Sequence, residues 1–115
     1  MRSDHLRFLD ILDACEVILQ YTPASRQEFD KDPPLRTHIL FHIQIIGEAA
    51  SKLSQPLRDQ YPDVPWKAIM RMRTLIAHVY FGIDWNEVWQ AACRDIVPLK
   101  AQIETILAAM NKDAD

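Results

Sequence analysis

The chain has 115 residues, 13 Lys and Arg against 16 Asp and Glu, and a formal net charge of −3. That length suits a single domain spanning 1–115. The acidic balance excludes a general nucleic-acid-binding surface, so any RNA contact would need a local basic patch. Hydrophobic residues make up 49% and charged residues 25%, with only two glycines, seven prolines and short β-branched runs. This composition favours helices joined by proline-containing turns and an all-α fold. No apolar run approaches the roughly 20 residues of a membrane span. Met1-Arg2-Ser3-Asp4-His5 is polar and lacks a signal-peptide core, so a cytoplasmic protein is expected. Cys15 and Cys93 stand singly among apolar neighbours with no C-x-x-C pattern, and read as buried thiols in a reducing compartment.

In chain order, Ser3 or Asp4 can cap a first helix. Phe8, Leu12, Cys15 and Leu19 repeat at helical spacing with Ile11 and Ile18 beside them, and the helix should end near Tyr21-Thr22-Pro23. Ser25 then caps one short turn, Arg26 to about Asp30, which Lys31-Asp32-Pro33-Pro34 breaks. A second long helix is expected from about Leu35 to Leu53, burying Leu35, Ile39, Ile43, Ile46, Ala50 and Leu53. Gly47 in its middle costs up to about 1 kcal/mol relative to Ala, and close approach of another helix would repay that. Glu48 beside it either turns toward Arg71 and Arg73 or stays solvated. His38 and His42 have an i, i+4 spacing that can bind a metal, but no third ligand is evident, and a wet or dimer-facing pair is expected.

Ser54-Gln55-Pro56 opens a short helix through about Gln60, and Tyr61-Pro62-Asp63-Val64-Pro65 leads into the next. That helix carries Lys67, Arg71, Arg73, Thr74, His78 and Tyr80, and should stop at Phe81-Gly82-Ile83, Gly82 suiting a left-handed terminus. At about 100° per residue, Lys67, Arg71 and His78 share one face and Arg73, Ala77 and Tyr80 form another. Ile69, Met72, Ile76 and Val79 remain as the apolar stripe. Asp84 caps the last helix, whose apolar face is Trp85, Val88, Trp89, Ala92 and Ile96, then Leu99, Ile103, Ile106, Leu107 and Met110. Pro98 falls inside it, so one kinked helix or two meeting helices are expected, with Asn111 to Asp115 fraying.

Two arginines, an imidazole and a phenol within ten residues are the groups that metal-free phosphate chemistry uses. The plainer account is a solvated charged face with a helix-end histidine and a packed tyrosine. Arg73-Thr74-Leu75-Ile76-Ala77-His78-Val79-Tyr80 has the form R-x-x-x-x-H-x-Y. It resembles the signature of the HEPN superfamily, in particular the HepT-like toxins paired with minimal nucleotidyltransferases. Ile45-Ile46-Gly47-Glu48-Ala49-Ala50, Pro65-Trp66, Tyr80-Phe81-Gly82-Ile83-Asp84 and Val88-Trp89 fit the same family, so the likeness runs from about residue 4 to residue 110. One departure is Thr74, where the family usually has Asn; a hydroxyl is kept and an amide lost.

The resemblance implies an antiparallel four- to five-helix bundle. It implies a homodimer whose two motif copies line one groove, and a toxin acting as a metal-independent endoribonuclease without cofactor. Arg73 and His78 would be catalytic, with Lys67, Arg71, Glu48 and Thr74 binding or supporting. Tyr80 would accept AMP from a cognate nucleotidyltransferase antitoxin. The alternative is a non-catalytic helical partner or binding subunit of a minimal nucleotidyltransferase.

Overall fold

The computed structural model describes residues 2–75 and 82–114, for 112–114 the backbone only, and every regular element among them is helical. Helix α1 spans Asp4–Tyr21. Ser3 caps it by accepting from the Leu6 N–H at 3.2 Å, and Thr22 closes it by donating both its N–H and its hydroxyl to the Ile18 carbonyl. Helix α2 spans Arg26–Asp30, with Ser25 as its cap and Phe29 fully buried.

Helix α3 spans Pro33–Ser51. The sequence reading placed Pro33 and Pro34 in a break; they form instead the first turn of α3. A first-turn N–H has no intrahelical acceptor, so proline loses nothing there, and Asp32 satisfies the next donor by accepting from Leu35 N–H at 3.2 Å. The helix buries Leu40, Gly47 and Ala49 as well as Ile39, Ile43, Ile46 and Ala50, so its buried face is wider than the single stripe the spacing suggested.

Helices α1 and α3 are antiparallel neighbours. Asp4, at the start of α1, accepts from the backbone N–H and hydroxyl of Ser54 just beyond α3, while Tyr21, at the end of α1, meets His38 near the start of α3. α1 also packs on the last helix, and α3 packs on the motif segment, which makes α3 the central wall of the bundle. Phe8, Ile11, Ile18, Ile39, Ile43, Ile46, Ile96 and Ile103 are fully buried between these walls.

Helix α4 spans Gln55–Gln60 and α5 spans Trp66–Arg71. Gly82 has φ +90°, the left-handed geometry expected of it. Asp84 then caps α6, Trp85–Gln90, by accepting from the N–H groups of Asn86 and Glu87. A π-helical turn, Ala91–Asp95, joins α6 to α7, Ile96–Ala114, so the last helix is continuous and its irregularity lies one turn before Pro98. Pro98 supplies the cause: it has no N–H for the Arg94 carbonyl, and its ring crowds that carbonyl in an α-helix. Opening the ladder by one residue relieves the conflict. No helix among the described residues is long and apolar enough to cross a membrane.

Candidate functional site

The motif segment is pinned at its start by Trp66, whose indole N–H lies 3.0 Å from the carbonyls of both Arg58 and Tyr61. Trp66, Ile69 and Met72, three residues apart, turn into the core. Beyond Arg71 the expected α-helix tightens: Met72–Thr74 is a 3-10 turn, Leu75 N–H bonds to Met72 O, and the Thr74 hydroxyl donates to Arg71 O at 2.7 Å. The sequence reading carried α-helix through this stretch.

Gly47 sits where this turn crosses α3. A Cβ built on Gly47 would stand 3.0 Å from the Cα and Cβ of Arg73, and closer still to the Arg73 nitrogen. The close approach expected at Gly47 is therefore real, and its partner is the backbone of the motif arginine. With that backbone seated on α3, the Arg73 side chain is directed into solvent.

Lys67, Arg71 and Arg73 are all exposed, and among the described residues none of them is ion-paired. In a chain of net charge −3 this gathers three cations, none of them in an ion pair among the described residues, within seven residues. Arg71 lines a groove of about 660 Å³ between the motif segment and the last helix; Lys67 and Arg73 do not line it. Thr74 lies on the same wall as Arg71, with its hydroxyl committed to the Arg71 carbonyl. His78 and Tyr80 lie outside the described residues.

Glu48 is not brought to either arginine. Its carboxylate is 3.9 Å from the Lys52 ammonium one turn on, and it borders a separate shallow concavity with Arg7, Asp10 and Phe41. The local i, i+4 pairing is reached without any tertiary movement. His38 and His42 have ring centroids 4.5 Å apart, with His42 Nδ1 2.9 Å from the His38 carbonyl. Among the described residues no group of three or more His, Cys, Asp or Glu is placed to hold a metal.

The opposite wall of the 660 Å³ groove comes from residues that the sequence did not single out: Glu87, Gln90, Arg94, Asp95 and Gln102. Asp95 accepts from Arg94 Nε at 3.0 Å, and that hydrogen bond and charge raise the arginine pKa. Gln102 donates to the Asp63 carbonyl at 3.2 Å, tying α7 to the turn before the motif segment. These residues are 12 or more positions from Leu75, the nearest of the described motif residues, and no periodic signal links them to it.

Comparison with known proteins bears on the family of the chain, not on these residues. The family model described as "Ribonuclease HepT-like" matches residues 11–106. A protein of Caldanaerobacter subterraneus subsp. tengcongensis carrying an RNase name is 35% identical over 98 residues, covering 84% of this chain and 88% of that one. A Methanocaldococcus jannaschii protein, also carrying an RNase name, is 30% identical over 98 residues, 84% of this chain and 90% of that one. The "Probable ribonuclease HepT" of Thermococcus cleftensis is 31% identical over 108 residues, 92% of this chain and 98% of that one. No solved structure matches the chain at a significant level. The chain belongs to the HepT-like ribonuclease family.

Proposed function

We propose that this ribonuclease is a metal-independent endoribonuclease and the toxin of a toxin–antitoxin pair, with its site in a groove shared by two copies of the chain. The observation that carries the reading is the cluster of exposed cations on the motif segment, outside any ion pair among the described residues, with the Arg73 backbone seated on Gly47. A guanidinium in solvent with no ion-pair partner is open to a phosphate.

In this mechanism the ribose 2′-hydroxyl attacks the adjacent phosphorus. The 5′-oxygen leaves with a proton, and a 2′,3′-cyclic phosphate remains. His78 moves the proton as general base or acid, a role worth about 10²–10⁴ in rate. Arg73 stabilises charge developing on the phosphoryl oxygens, worth on the order of 10²–10³. Arg71 and Lys67 bind flanking phosphates. Tyr80 orients the substrate and is the acceptor for the antitoxin: its phenolic oxygen takes AMP from ATP, and pyrophosphate leaves. The added negative charge beside Arg73 and His78 blocks the groove and repels RNA. Phe41 on α3, 57% exposed, offers the second copy an apolar side chain to cover.

A second reading is favoured by Thr74. Its hydroxyl is spent on the Arg71 carbonyl, whereas an amide at that position would retain a further donor. Under that reading the chain is a non-catalytic binding subunit of a nucleotidyltransferase.

The test is RNA cleavage by the unmodified protein in EDTA beside Arg73→Ala and His78→Ala. Cleavage that both substitutions reduce by at least about 100-fold is expected, with a 2′-deoxy substitution at the cut site blocking it. Absence of cleavage by unmodified dimer would sink the ribonuclease mechanism and leave the binding subunit.

A further inference from the structure

The 660 Å³ groove between the motif segment and the last helix has a composition unlike that of a phosphate trough. Its two arginines, Arg71 and Arg94, are matched by two carboxylates, Glu87 and Asp95, so its formal charge is zero. A phosphate would gain little there and would meet the acids. Its floor is apolar and buried: Ile69, Met72, Ala91 and Leu99 are all under a tenth exposed. Its rim holds neutral amides, Gln90 and Gln102.

A planar heterocycle with mixed donors and acceptors suits such a site. The apolar floor takes its face, while amides, carboxylate and guanidinium meet its edge. Two of these groups have a partner and polar atoms left over. Among the described residues, Gln102 donates its amide to the Asp63 carbonyl and its amide oxygen has no partner. Arg94 donates Nε to Asp95 and its two terminal nitrogens have none. The volume falls within the ~300–1,000 Å³ typical of small-ligand clefts, enough for a base with its ribose.

We infer that this groove is a base-binding subsite, taking one unstacked nucleobase of single-stranded RNA on the floor of Ile69 and Leu99, read at its edge by Gln90, Gln102 and Arg94. The inference deepens the ribonuclease reading above and rests on it for the identity of the ligand as RNA. Arg71, on the same wall as Thr74, sits where the phosphate of that nucleotide leaves the groove toward Arg73. Recognition of RNA through splayed single-strand bases, rather than duplex edges, is the general route to sequence preference. Here it would select which phosphodiester is presented to the motif.

The test does not require cleavage. The full chain, labelled with ¹⁵N, is titrated with each of the four nucleoside 3′-monophosphates and with ribose 5-phosphate as a probe lacking the base. The side-chain NH₂ resonances of Gln90 and Gln102 are followed. At least one nucleotide is expected to shift both saturably while ribose 5-phosphate moves neither. Arg94→Ala and Gln90→Leu, both at exposed positions, are expected to weaken that nucleotide by about tenfold each with helical circular dichroism unchanged. Equal shifts from ribose 5-phosphate, no shift from any nucleotide, or variants that titrate like wild type would each overturn the subsite. Variants that alter the monomer–dimer equilibrium but not the titration would show the groove to be a contact between copies, and would overturn it too. Failure of the ribonuclease reading is read separately, in the EDTA cleavage assay.

Discussion

Gly47 shows how one residue can couple fold and site. Substituting alanine would add about 1 kcal/mol of helix propensity, yet the new methyl group would press on the backbone of Arg73 rather than on a flexible side chain. Relief requires the motif turn to move away from α3, and overpacking of this kind costs about 1–3 kcal/mol. Gly47→Ala is therefore expected to cost up to about 2 kcal/mol in urea unfolding, and to reduce RNA cleavage more than the loss of folded protein explains, because Arg73 is displaced. A variant more stable than wild type by the full propensity gain, about 1 kcal/mol, with cleavage unchanged would refute the close contact. The cysteines supply an independent check of burial. Desolvation pushes the Cys15 thiol up to about 12, whereas Cys93, expected to be buried, is exposed, and desolvation raises its thiol as well. Iodoacetamide at pH 8 should label Cys93 alone in the native chain, with Cys15 reacting only after unfolding, as intact mass would show. The sign for stability follows. Between the ordinary value of 9.0 and about 12 the unfolded thiol has lost its proton while the folded one keeps it, so stability falls as pH rises through that window.

Among the elements, the junction of α3, α4 and α5 turns on Arg58. Its Nη1 lies within 3.4 Å of the carbonyls of Ala50, Ser51 and Leu53 at the end of α3, where orphaned acceptors and the helix dipole both favour a cation. Its own carbonyl meanwhile accepts from Trp66 and fixes the start of the motif segment. Arg58→Met keeps the aliphatic stem and removes the cap; a loss of about 1–3 kcal/mol is expected in thermal or urea unfolding. This junction was not legible in the sequence, whereas the elements it joins were. The repeat of Phe8, Leu12, Cys15 and Leu19 with Ile11 and Ile18 beside it locates the inward side of α1, although the fully buried line runs through Ile11 and Ile18 while Leu12 and Leu19 are half-buried, and Ser3, Ser25 and Asp84 sit where side chains cap backbone donors. What stayed hidden was imposed from outside the local chain. The 3-10 turn at Met72–Thr74 is pressed against α3, and the π-helical turn at Ala91–Asp95 answers a proline in the following turn. Glu87, Arg94 and Gln102 face Arg71 only because two remote helices meet. Lys67, Arg71 and Arg73 stand out in the sequence because their residue types crowd one short stretch, whereas nothing local decides between the two orientations open to Glu48, and the structure sets its carboxylate 3.9 Å from Lys52.

At the scale of the whole molecule, the geometry of one chain bears on how a site would be completed. Arg73 and His78 are five residues apart, about 140° around an ideal helix, and the turn that carries Arg73 is tighter than α. A two-fold dimer removes the difficulty if the arginine of one copy serves the histidine of the other, since an isologous interface presents both combinations. The expected dimer surface includes Phe41 on α3, 57% exposed, so Phe41→Glu should yield monomer in sedimentation and lose cleavage while staying helical. The sharper prediction uses two inactive proteins. In a heterodimer of Arg73→Ala with His78→Ala, a composite arrangement leaves one groove half with neither residue and the other half with both. Random exchange makes about half of the dimers mixed, each with one of two sites intact, so mixing and refolding should restore about a quarter of wild-type cleavage. Sites built within single chains would each still lack one residue, and the mixture would remain as inactive as its components. Recovery near a quarter would therefore establish the dimer and the partition of the site between its copies together; no recovery, with mixed dimers verified by mass, would place Arg73 and His78 in one chain's own site and reduce the dimer to scaffolding.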